Sequence, residues 1–177
     1  RVAARLARLE VFTELGSTNR HLLAAPPPLG QLGVCIAEFQ TAGRGRRGRQ
    51  WHTPLAGGLC LSVGWQFADT PADLAALTLA VGVVVRRVLA RVVGVDIALK
   101  WPNDLVWDER KLGGILLEMT AEAQNGCHVV AGIGINVALP PALLPSLSDW
   151  PRGAVDLATA LQRDPPARLA IAAALID

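Results

Sequence analysis

Apolar and small or polar residues alternate without interruption from Gly58 to Phe67, and this pattern constrains the fold more than any other stretch of the chain. Successive side chains of a strand point to opposite faces, so the large apolar residues share one face and the small or polar ones, Ser62 among them, share the other. Residues 128–137 alternate in the same way, with glycines on the face that ends at Asn136. A strand face that carries glycines leaves room for a ligand.

Further apolar runs predict the remaining elements of a sheet with helices. Strands are expected at residues 10–15, 32–39 and 97–101, and a hairpin at residues 105–107 and 111–120. Asp69 and Thr70 before Pro71 indicate the start of a helix that runs to about Arg91. Residues 17–19 are typical of a helix N-cap, residues 1–8 of a short basic helix or tail, and two helices are expected near 153–163 and 166–176. This order of elements predicts an α+β fold, a mixed or antiparallel sheet covered by helices on one side.

Composition excludes several classes of protein. The chain has 177 residues, 51% hydrophobic and 18% charged, which suits one folded domain and not a disordered segment. The longest apolar run, residues 74–85, is shorter than the roughly 18–20 residues of a bilayer span, so we expect no membrane association. Three widely spaced cysteines suggest reduced thiols in a cytoplasmic protein. The chain opens on Arg1 and stops inside a predicted helix, so we expect both ends to be trimmed.

Residues 43–51 form a basic loop in which three glycines alternate with four arginines before Trp51. Glycine lets the backbone approach a ligand closely, and arginine supplies a fork of donors for phosphate or carboxylate. The formal net charge is 17 − 15 = +2, and without these four arginines it would be 13 − 15 = −2. The positive charge is therefore local, which favours a small anionic ligand. We expect residues 43–50 to be mobile until such a ligand binds.

Two nucleotide motifs can be compared with the basic loop, and neither fits. The run matches G-x-G-x-x-G, but that dinucleotide fingerprint must open a helix, and residues 50–58 with Pro54 and two glycines would not form one. No Gly-Lys-Ser/Thr ends the run, so it is not a P-loop. A solvated basic loop or a nucleic-acid-binding patch remains open from this stretch alone.

Polar residues at several strand ends carry the functional interpretation. Gln40, Lys100 and Asn136 each close a predicted strand, and Asn103 with Asp104 lies in a turn. Each has a structural explanation alone, as a polar strand end, an edge-strand charge or a plain turn. Together the chain resembles the biotin protein ligases over residues 9–140. The motifs that carry the resemblance are Ser17-Thr18-Asn19, Gln40 with residues 43–51, Lys100-Trp101-Pro102-Asn103-Asp104, Lys111-Leu112-Gly113-Gly114-Ile115-Leu116 and Gly132-Ile133-Gly134-Ile135-Asn136.

The resemblance implies a biotin–[acetyl-CoA-carboxylase] ligase with a catalytic domain like that of class II aminoacyl-tRNA synthetases. Its substrates would be biotin and ATP, with Mg²⁺ on the triphosphate. Biotin would be activated to biotinyl-5′-AMP and passed to one lysine of a biotin carboxyl carrier protein. Both reactants of the first step are anions, so cations must lie between them.

Residue roles also follow from the resemblance. Catalytic roles fall to Lys100, Arg46 and Arg47. The biotin site would comprise Ser17, Thr18, Asn19, Gln40, Gly43, Arg44, Gly45, Arg46, Lys100 and Gly114. The nucleotide site would comprise Arg46, Arg47, Arg49, Trp51, Asn103, Lys111 and Asn136. Asp104 would hold Lys100 or assist the metal, and the sequence does not separate these two roles; no other protein ligand to a metal is expected.

The resemblance also bears on domains and partners. We expect residues 1–177 to form a single catalytic domain, without the N-terminal DNA-binding domain and the C-terminal SH3-like domain found in the family, and therefore no DNA binding. A homodimer is left open. One alternative is a lipoate ligase or lipoyl transferase of the same fold, which a comparison of biotin with lipoate would distinguish. The other is a nucleic-acid-binding module, which would show steeply salt-dependent binding and no response to biotin.

Overall fold

A seven-stranded sheet forms the centre of the molecule. The computed structural model describes residues 5–69, 73–122, 126–144 and 150–177. The strands are β1 (Leu6–Leu15), β2 (Leu32–Gln40), β3 (Gly58–Phe67), β4 (Ala98–Lys100), β5 (Asp104–Trp107), β6 (Arg110–Glu122) and β7 (Gly126–Asn136). They lie in the order β1-β2-β3-β7-β6-β5-β4. Strands β1 and β2 are parallel and all other neighbours are antiparallel, which confirms the predicted mixed sheet.

Helices cover both faces of this sheet, but one face packs a large core and the other only a small cluster. The helices are α1 (Thr18–Leu23), α2 (Leu74–Val88), α3 (Leu157–Leu161) and α4 (Arg168–Ile176). Val85 of α2 and Ile171 of α4 are fully buried in the main core with Leu61 of β3. On the opposite face, Leu22 of α1 packs on Cys35 and Val130 in a small second cluster. The expectation of helices on one side is therefore incomplete, because the short α1 lies on the other side.

The first strand is longer than the sequence indicated. Residues 6–8 belong to β1, where a short helix or tail was expected, and residues 1–4 lie outside the described part of the chain. Leu6 pairs with Leu32, and Leu32 N donates to Arg5 O at 2.8 Å. These backbone bonds to β2 override the local helical tendency of the alanine-rich start.

Helix α2 also begins later than predicted. Its N-cap is Asp73, whose side chain accepts from Ala75 N and Ala76 N at 2.8 and 3.0 Å. Thr70 and Pro71 lie outside the described residues. The helix ends in a wider π turn, Leu89–Val93, and Gly94 then takes a left-handed conformation with φ of 81°.

The chain after β7 forms less helix than the sequence suggested. Helix α3 spans Leu157–Leu161, shorter than the predicted 153–163, because Ala154 pairs with Lys111 as a parallel β-bridge and Asp156 caps the helix. Helix α4 matches the prediction for 166–176 within two residues. None of the helices in the described ranges has the length and apolar character needed to cross a membrane.

Candidate active site

A cavity of about 570 Å³ opens on the sheet face that carries α1. Small-molecule sites typically occupy some 300–1,000 Å³. Its walls come from the N-terminus of α1, the basic loop, the turn between β4 and β5, and the middle of β6 and β7. The site residues predicted from sequence that line it are Ser17, Thr18, Asn19, Gln40, Arg44, Gly45, Arg46, Arg47, Arg49, Trp51, Asn103, Asp104, Lys111 and Gly114.

One end of the cavity, here called the hydroxyl–amide end, consists of Ser17, Thr18, Asn19 and Gln40. Ser17 caps α1, its Oγ accepting from Arg20 N at 3.4 Å, as the N-cap pattern predicted. Gln40 Oε1 accepts from Thr18 N at 2.8 Å and from Thr18 Oγ1 at 3.1 Å. This places the amide nitrogen of Gln40, the donor end, on the side away from Thr18. Hydroxyls and an amide so arranged can recognise a neutral polar group.

A chain of hydrogen bonds runs beneath this end. Ser62 Oγ lies 2.7 Å from Thr18 Oγ1 and 2.6 Å from Asn19 Oδ1. Asn19 Nδ2 donates to Leu116 O at 3.1 Å and to Glu118 Oε2 at 2.9 Å. Asn19 is thus held on both sides of its amide by protein groups. The buried polar atoms are satisfied, so the wall is rigid.

Two glycines of β7 make room for the cavity walls. A Cβ at Gly132 would lie 2.2 Å from Asn19 Oδ1, and one at Gly134 would lie 2.6 Å from Trp51 Cε2. Any other residue would displace Asn19 or the indole of Trp51. The glycine face predicted from the alternation of residues 128–137 therefore lies at the ligand site.

The basic loop is folded back on itself between β2 and β3. Gly45 N donates to Arg49 O at 2.8 Å, and Trp51 N donates to Gly43 O at 3.0 Å. A Cβ at Gly43 would lie 2.3 Å from Trp51 O, so this close approach requires glycine. Gly43 is buried and does not line the cavity, unlike the other predicted loop residues. Its position in the biotin site is therefore indirect.

The other end of the cavity, here called the cationic end, combines the loop arginines with Lys111. Lys111 Nζ lies 2.7 Å from Asp104 Oδ1, and both side chains are largely buried. Arg46 Nη1 donates to Asn103 Oδ1 at 3.4 Å, while Asn103 Nδ2 donates to Ile115 O at 2.9 Å. Four arginines and a lysine line the cavity against the carboxylate of Asp104. This excess of positive charge suits phosphate or carboxylate groups.

Lys100 is not among the residues that line this cavity, and its predicted catalytic role stays a prediction. It is the last residue of β4, the strand at the far edge of the sheet, and its Nζ lies 3.8 Å from the centre of the Trp150 ring. The side chain lies along a neighbouring depression with Val106 and Glu109. The position next to Asp104 that the sequence offered to Lys100 is taken by Lys111.

Asn136 is likewise absent from the cavity lining. Its side chain is buried, and its Nδ2 donates to Val155 O at 3.0 Å and approaches Lys111 O at 3.5 Å. It joins the end of β7 to the segment before α3 and to the strand that carries Lys111. Asn136 therefore supports the strand that carries Lys111, and its predicted place in the nucleotide site stays a prediction.

Several residues of the site were missed from the sequence. Ser62 and Glu118 lie in the hydrogen-bond chain, and Cys60 and Trp150 line the cavity. The strand alternation could have indicated Ser62 and Cys60, which share the small and polar face of β3. Glu118, a lone carboxylate in the apolar run of β6, was a second available signal. No sequence pattern marked Trp150.

The thiol of Cys60 is not an activated nucleophile. Burial raises its pKa above the ordinary value of 9.0, and the nearby polar groups of Thr53, Gln40 and Trp51 offset this only in part. The thiol therefore stays protonated near neutral pH.

A protein-held Mg²⁺ centre does not fit these residues. In the described part of the chain no three His, Cys, Asp or Glu side chains are grouped as metal ligands. Asp104, the carboxylate considered from sequence, forms an ion pair with Lys111 and is neutralised by it. Mg²⁺ can bind through a single carboxylate together with substrate phosphates, so the metal role of Asp104 stays a prediction.

Comparison with known proteins agrees with this geometry. A sequence model of the Biotin/lipoate A/B protein ligase family matches residues 15–136. Bifunctional ligase/repressor BirA of Escherichia coli is 42% identical over 129 residues, which cover 73% of this chain and 40% of that protein. Biotin--[acetyl-CoA-carboxylase] ligase of Mycobacterium tuberculosis is 39% identical over 140 residues, covering 76% of this chain and 51% of that protein.

A solved structure shows the same fold. The biotin protein ligase of Aquifex aeolicus in complex with biotin and ATP superimposes with a TM-score of 0.77 and 28% identity, over 97% of this chain and 68% of that one. The chain spans 40–51% of the length of these two curated relatives. The sequence motifs, the fold and the match over residues 15–136 agree: this chain belongs to the biotin/lipoate A/B protein ligase family.

Proposed function

We propose that the chain is the catalytic region of a biotin protein ligase. It would join biotin to ATP as biotinyl-5′-AMP and transfer the biotin to a lysine of a biotin carboxyl carrier protein. The observation that carries this proposal is one cavity with a hydroxyl–amide end and a cationic end. The relative from Aquifex aeolicus, solved with biotin and ATP, supports it.

The hydroxyl–amide end suits the ureido ring of biotin. A cyclic urea presents one carbonyl acceptor and two N–H donors, and it carries no charge. The hydroxyls of Ser17 and Thr18 can donate or accept, and the Gln40 amide nitrogen can donate to the carbonyl. The rings would lie on the floor of the cavity, against Asn19 and the Trp51 indole, which Gly132 and Gly134 allow to sit directly on β7.

The cationic end suits the first chemical step. A carboxylate oxygen of biotin forms a bond to the α-phosphorus of ATP, the bond to the bridging oxygen breaks, and pyrophosphate leaves with that electron pair. Both reactants are negatively charged, so cations must offset their repulsion and stabilise the charge that develops on the phosphoryl oxygens. Lys111 and Arg46 can supply these cations, since Lys111 pairs with Asp104 and Arg46 contacts the adjacent Asn103 at this end of the cavity.

The second step needs the intermediate to survive until the acceptor arrives. The lysine amine of the carrier attacks the acyl carbon of the mixed anhydride, and AMP leaves. Water would destroy the anhydride, so a closed basic loop is required for retention. No covalent nucleophile of the enzyme takes part. Mg²⁺ enters this proposal only as the ion carried by ATP, and a cytoplasmic setting supplies both ATP and reduced thiols.

Calorimetric titration with biotin, followed by ATP, tests the proposal. We expect saturable binding of biotin at one site per chain, no comparable binding of lipoate, and pyrophosphate release only when biotin and ATP are both present. Lipoate is the matched control because it has a similar carboxylate tail and lacks the ureido ring. Tighter binding of lipoate than of biotin would contradict the proposal and favour a lipoate ligase.

A further inference from the structure

Glu118 joins the two ends of the cavity although it does not line it. Its side chain, on β6, is 17% exposed. Oε2 accepts from Asn19 Nδ2 at 2.9 Å, and Oε1 lies 3.0 Å from Arg44 Nη2. The carboxylate therefore has one oxygen on the hydroxyl–amide end and the other on the basic loop.

The contacts of Asn19 show that this link continues inward. Asn19 Oδ1 lies 2.6 Å from Ser62 Oγ, which lies 2.7 Å from Thr18 Oγ1, and Thr18 in turn donates to Gln40. A continuous chain of side chains thus joins Gln40 to Arg44 beneath the cavity. Because Gly132 has no side chain, Asn19 can sit directly on β7 and complete the chain.

The ion pair also sets Arg44 apart from the other loop arginines. Arg44 is half-exposed, and its charge is offset by Glu118. Its backbone is fixed by a β-bridge to Gln50 at the other side of the loop. Arg44 is therefore placed to hold the base of the loop, while Arg46, Arg47 and Arg49 remain on the cavity wall without a carboxylate partner among the described salt bridges.

We propose that Glu118 is a positioning residue that anchors the basic loop through Arg44 and thereby couples occupancy of the hydroxyl–amide end to closure of the cationic end. This inference rests on the proposed function, because the coupling has a purpose only if one ligand spans both ends. A ligand bound to the rigid wall of Thr18 and Asn19 is thereby linked through Glu118 to Arg44 and the loop. A purely structural ion pair with a half-exposed partner would contribute little to stability and nothing to ligand retention.

Glu118→Gln tests the inference because it keeps the shape of the side chain and the acceptor for Asn19, and it removes the charge that holds Arg44. We expect the dissociation constant for biotin and the release rate of biotinyl-5′-AMP each to rise about tenfold, the loss typical of one charge-assisted hydrogen bond. The KM for biotin should rise by a similar factor, with kcat for pyrophosphate release changed less than about twofold, because the reacting groups lie at the cationic end.

Asp96→Asn is the matched control. It removes another carboxylate–arginine pair, Arg86 Nε to Asp96 Oδ1 at 2.8 Å, from a place remote from the cavity. Biotin binding and intermediate release should match those of the unaltered protein. Arg44→Gln breaks the same Arg44–Glu118 ion pair by changing its more exposed partner. If Glu118→Gln does not fold, Arg44→Gln is measured in its place.

A double-mutant cycle identifies the route. If Glu118 acts through Arg44, the combined Glu118→Gln/Arg44→Gln variant should bind biotin no more weakly than the weaker of the two single variants. If the losses of biotin affinity in the two single variants add fully in the combined variant, the inference is overturned. It is also overturned if the unaltered protein binds biotin and Glu118→Gln binds biotin and releases biotinyl-5′-AMP as the unaltered protein does. Failure of the unaltered protein to bind biotin would instead overturn the proposed function.

Discussion

Lys100 and Lys111 lie on either side of Asp104 in the sequence, and the structure separates their roles. Lys111 Nζ is 2.7 Å from Asp104 Oδ1 within the cavity wall, whereas Lys100 Nζ lies over the Trp150 ring. An ammonium that is held by a partly buried carboxylate is preorganised, because no side-chain reorganisation is needed when charge develops beside it. We therefore propose that Lys111 is the lysine that acts on the phosphoryl group.

We expect Lys111→Ala to lower biotin-dependent pyrophosphate release about 100-fold or more, as removal of one preorganised donor does at other sites of this kind. Lys100→Ala, its matched control, should stay within about threefold of the unaltered protein, since it loses only an exposed cation–π contact. The measurement is the steady-state rate of pyrophosphate release, with thermal unfolding to confirm that both variants fold. Retained activity in Lys111→Ala and lost activity in Lys100→Ala would contradict this prediction and support the assignment of Lys100 made from the sequence motif.

The positions of these two lysines show which features of a site residue can be predicted from local sequence and which cannot. Strand alternation correctly placed Lys100 on the face opposite Leu99, but it contains no information on how far across the sheet β4 lies. Asn136 is a second example, because its partner Val155 comes from a segment with no sequence signal of pairing. By contrast, local signatures of a helix cap and a strand end indicated the positions of Ser17, Thr18 and Gln40 in the fold, and the family resemblance gave them a place in the site.

At the scale of elements, the basic loop is the part whose order we expect to depend on a ligand. Backbone bonds close its base, at Gly43 with Trp51 and at Gly45 with Arg49. Arg47 at its tip has φ of 56°, a left-handed conformation that is unfavourable for arginine. The tip is therefore held weakly, and like charges on neighbouring arginines oppose one another there.

We expect trypsin to cut the ligand-free protein after the arginines of residues 43–50 sooner than elsewhere in the chain. Biotinyl-5′-AMP should slow this cleavage about tenfold or more, because proteolysis follows the population of the open loop and the intermediate's phosphate contacts the arginines. Mass spectrometry of the early fragments identifies the site, and AMP alone serves as the control ligand. Equal rates with and without biotinyl-5′-AMP would show that the loop does not close over the site.

Helix α2 gives a second test at this scale, because its predicted and observed starts differ. Asp73 accepts two backbone N–H bonds, whereas the sequence pointed to Asp69 and Thr70. We expect Asp73→Ala to lower the free energy of unfolding by ~1 kcal/mol, the usual effect of losing an N-cap. Asp69→Ala, the matched control, should change it by less than about 0.5 kcal/mol, as surface substitutions do. Urea unfolding of both variants measures the difference; a larger effect at Asp69 would favour the sequence-based start.

For the whole molecule, the sequence predicted well which face of a strand packs against helices, and it predicted poorly which strands pair with each other. The alternation of Gly58–Phe67 matches β3 residue for residue, since one face packs on α2 and α4 and the other on α1. Nothing local indicated that β1 would pair with β2 in parallel, and only the charge of Lys100 suggested that β4 would form an edge. Such pairings depend on contacts between segments distant in sequence, which periodicity does not encode.

The buried thiols give the fold a pH dependence at alkaline pH. Cys35 is fully buried between α1 and the sheet, and burial, with the nearby Glu10 carboxylate, raises its pKa from 9.0 to about 12. The unfolded chain therefore loses this proton before the folded protein does. The stabilisation is intact below the unfolded pKa of 9.0 and is lost progressively as pH rises towards 12, so the free energy of unfolding falls across this window.

Comparison of two core variants isolates this effect from other alkaline titrations. Cys35→Ala should be less stable than the unaltered protein at pH 7, because it leaves a small cavity, and this deficit should shrink by about 1.4 kcal/mol by pH 10, the free energy of one pKa unit. Val34→Ala, also fully buried, should show a deficit that does not change with pH. The measurement is urea unfolding at pH 7 to 10. A constant deficit for Cys35→Ala would mean that the thiol titrates alike in the folded and unfolded chain, and that its burial does not couple protonation to folding.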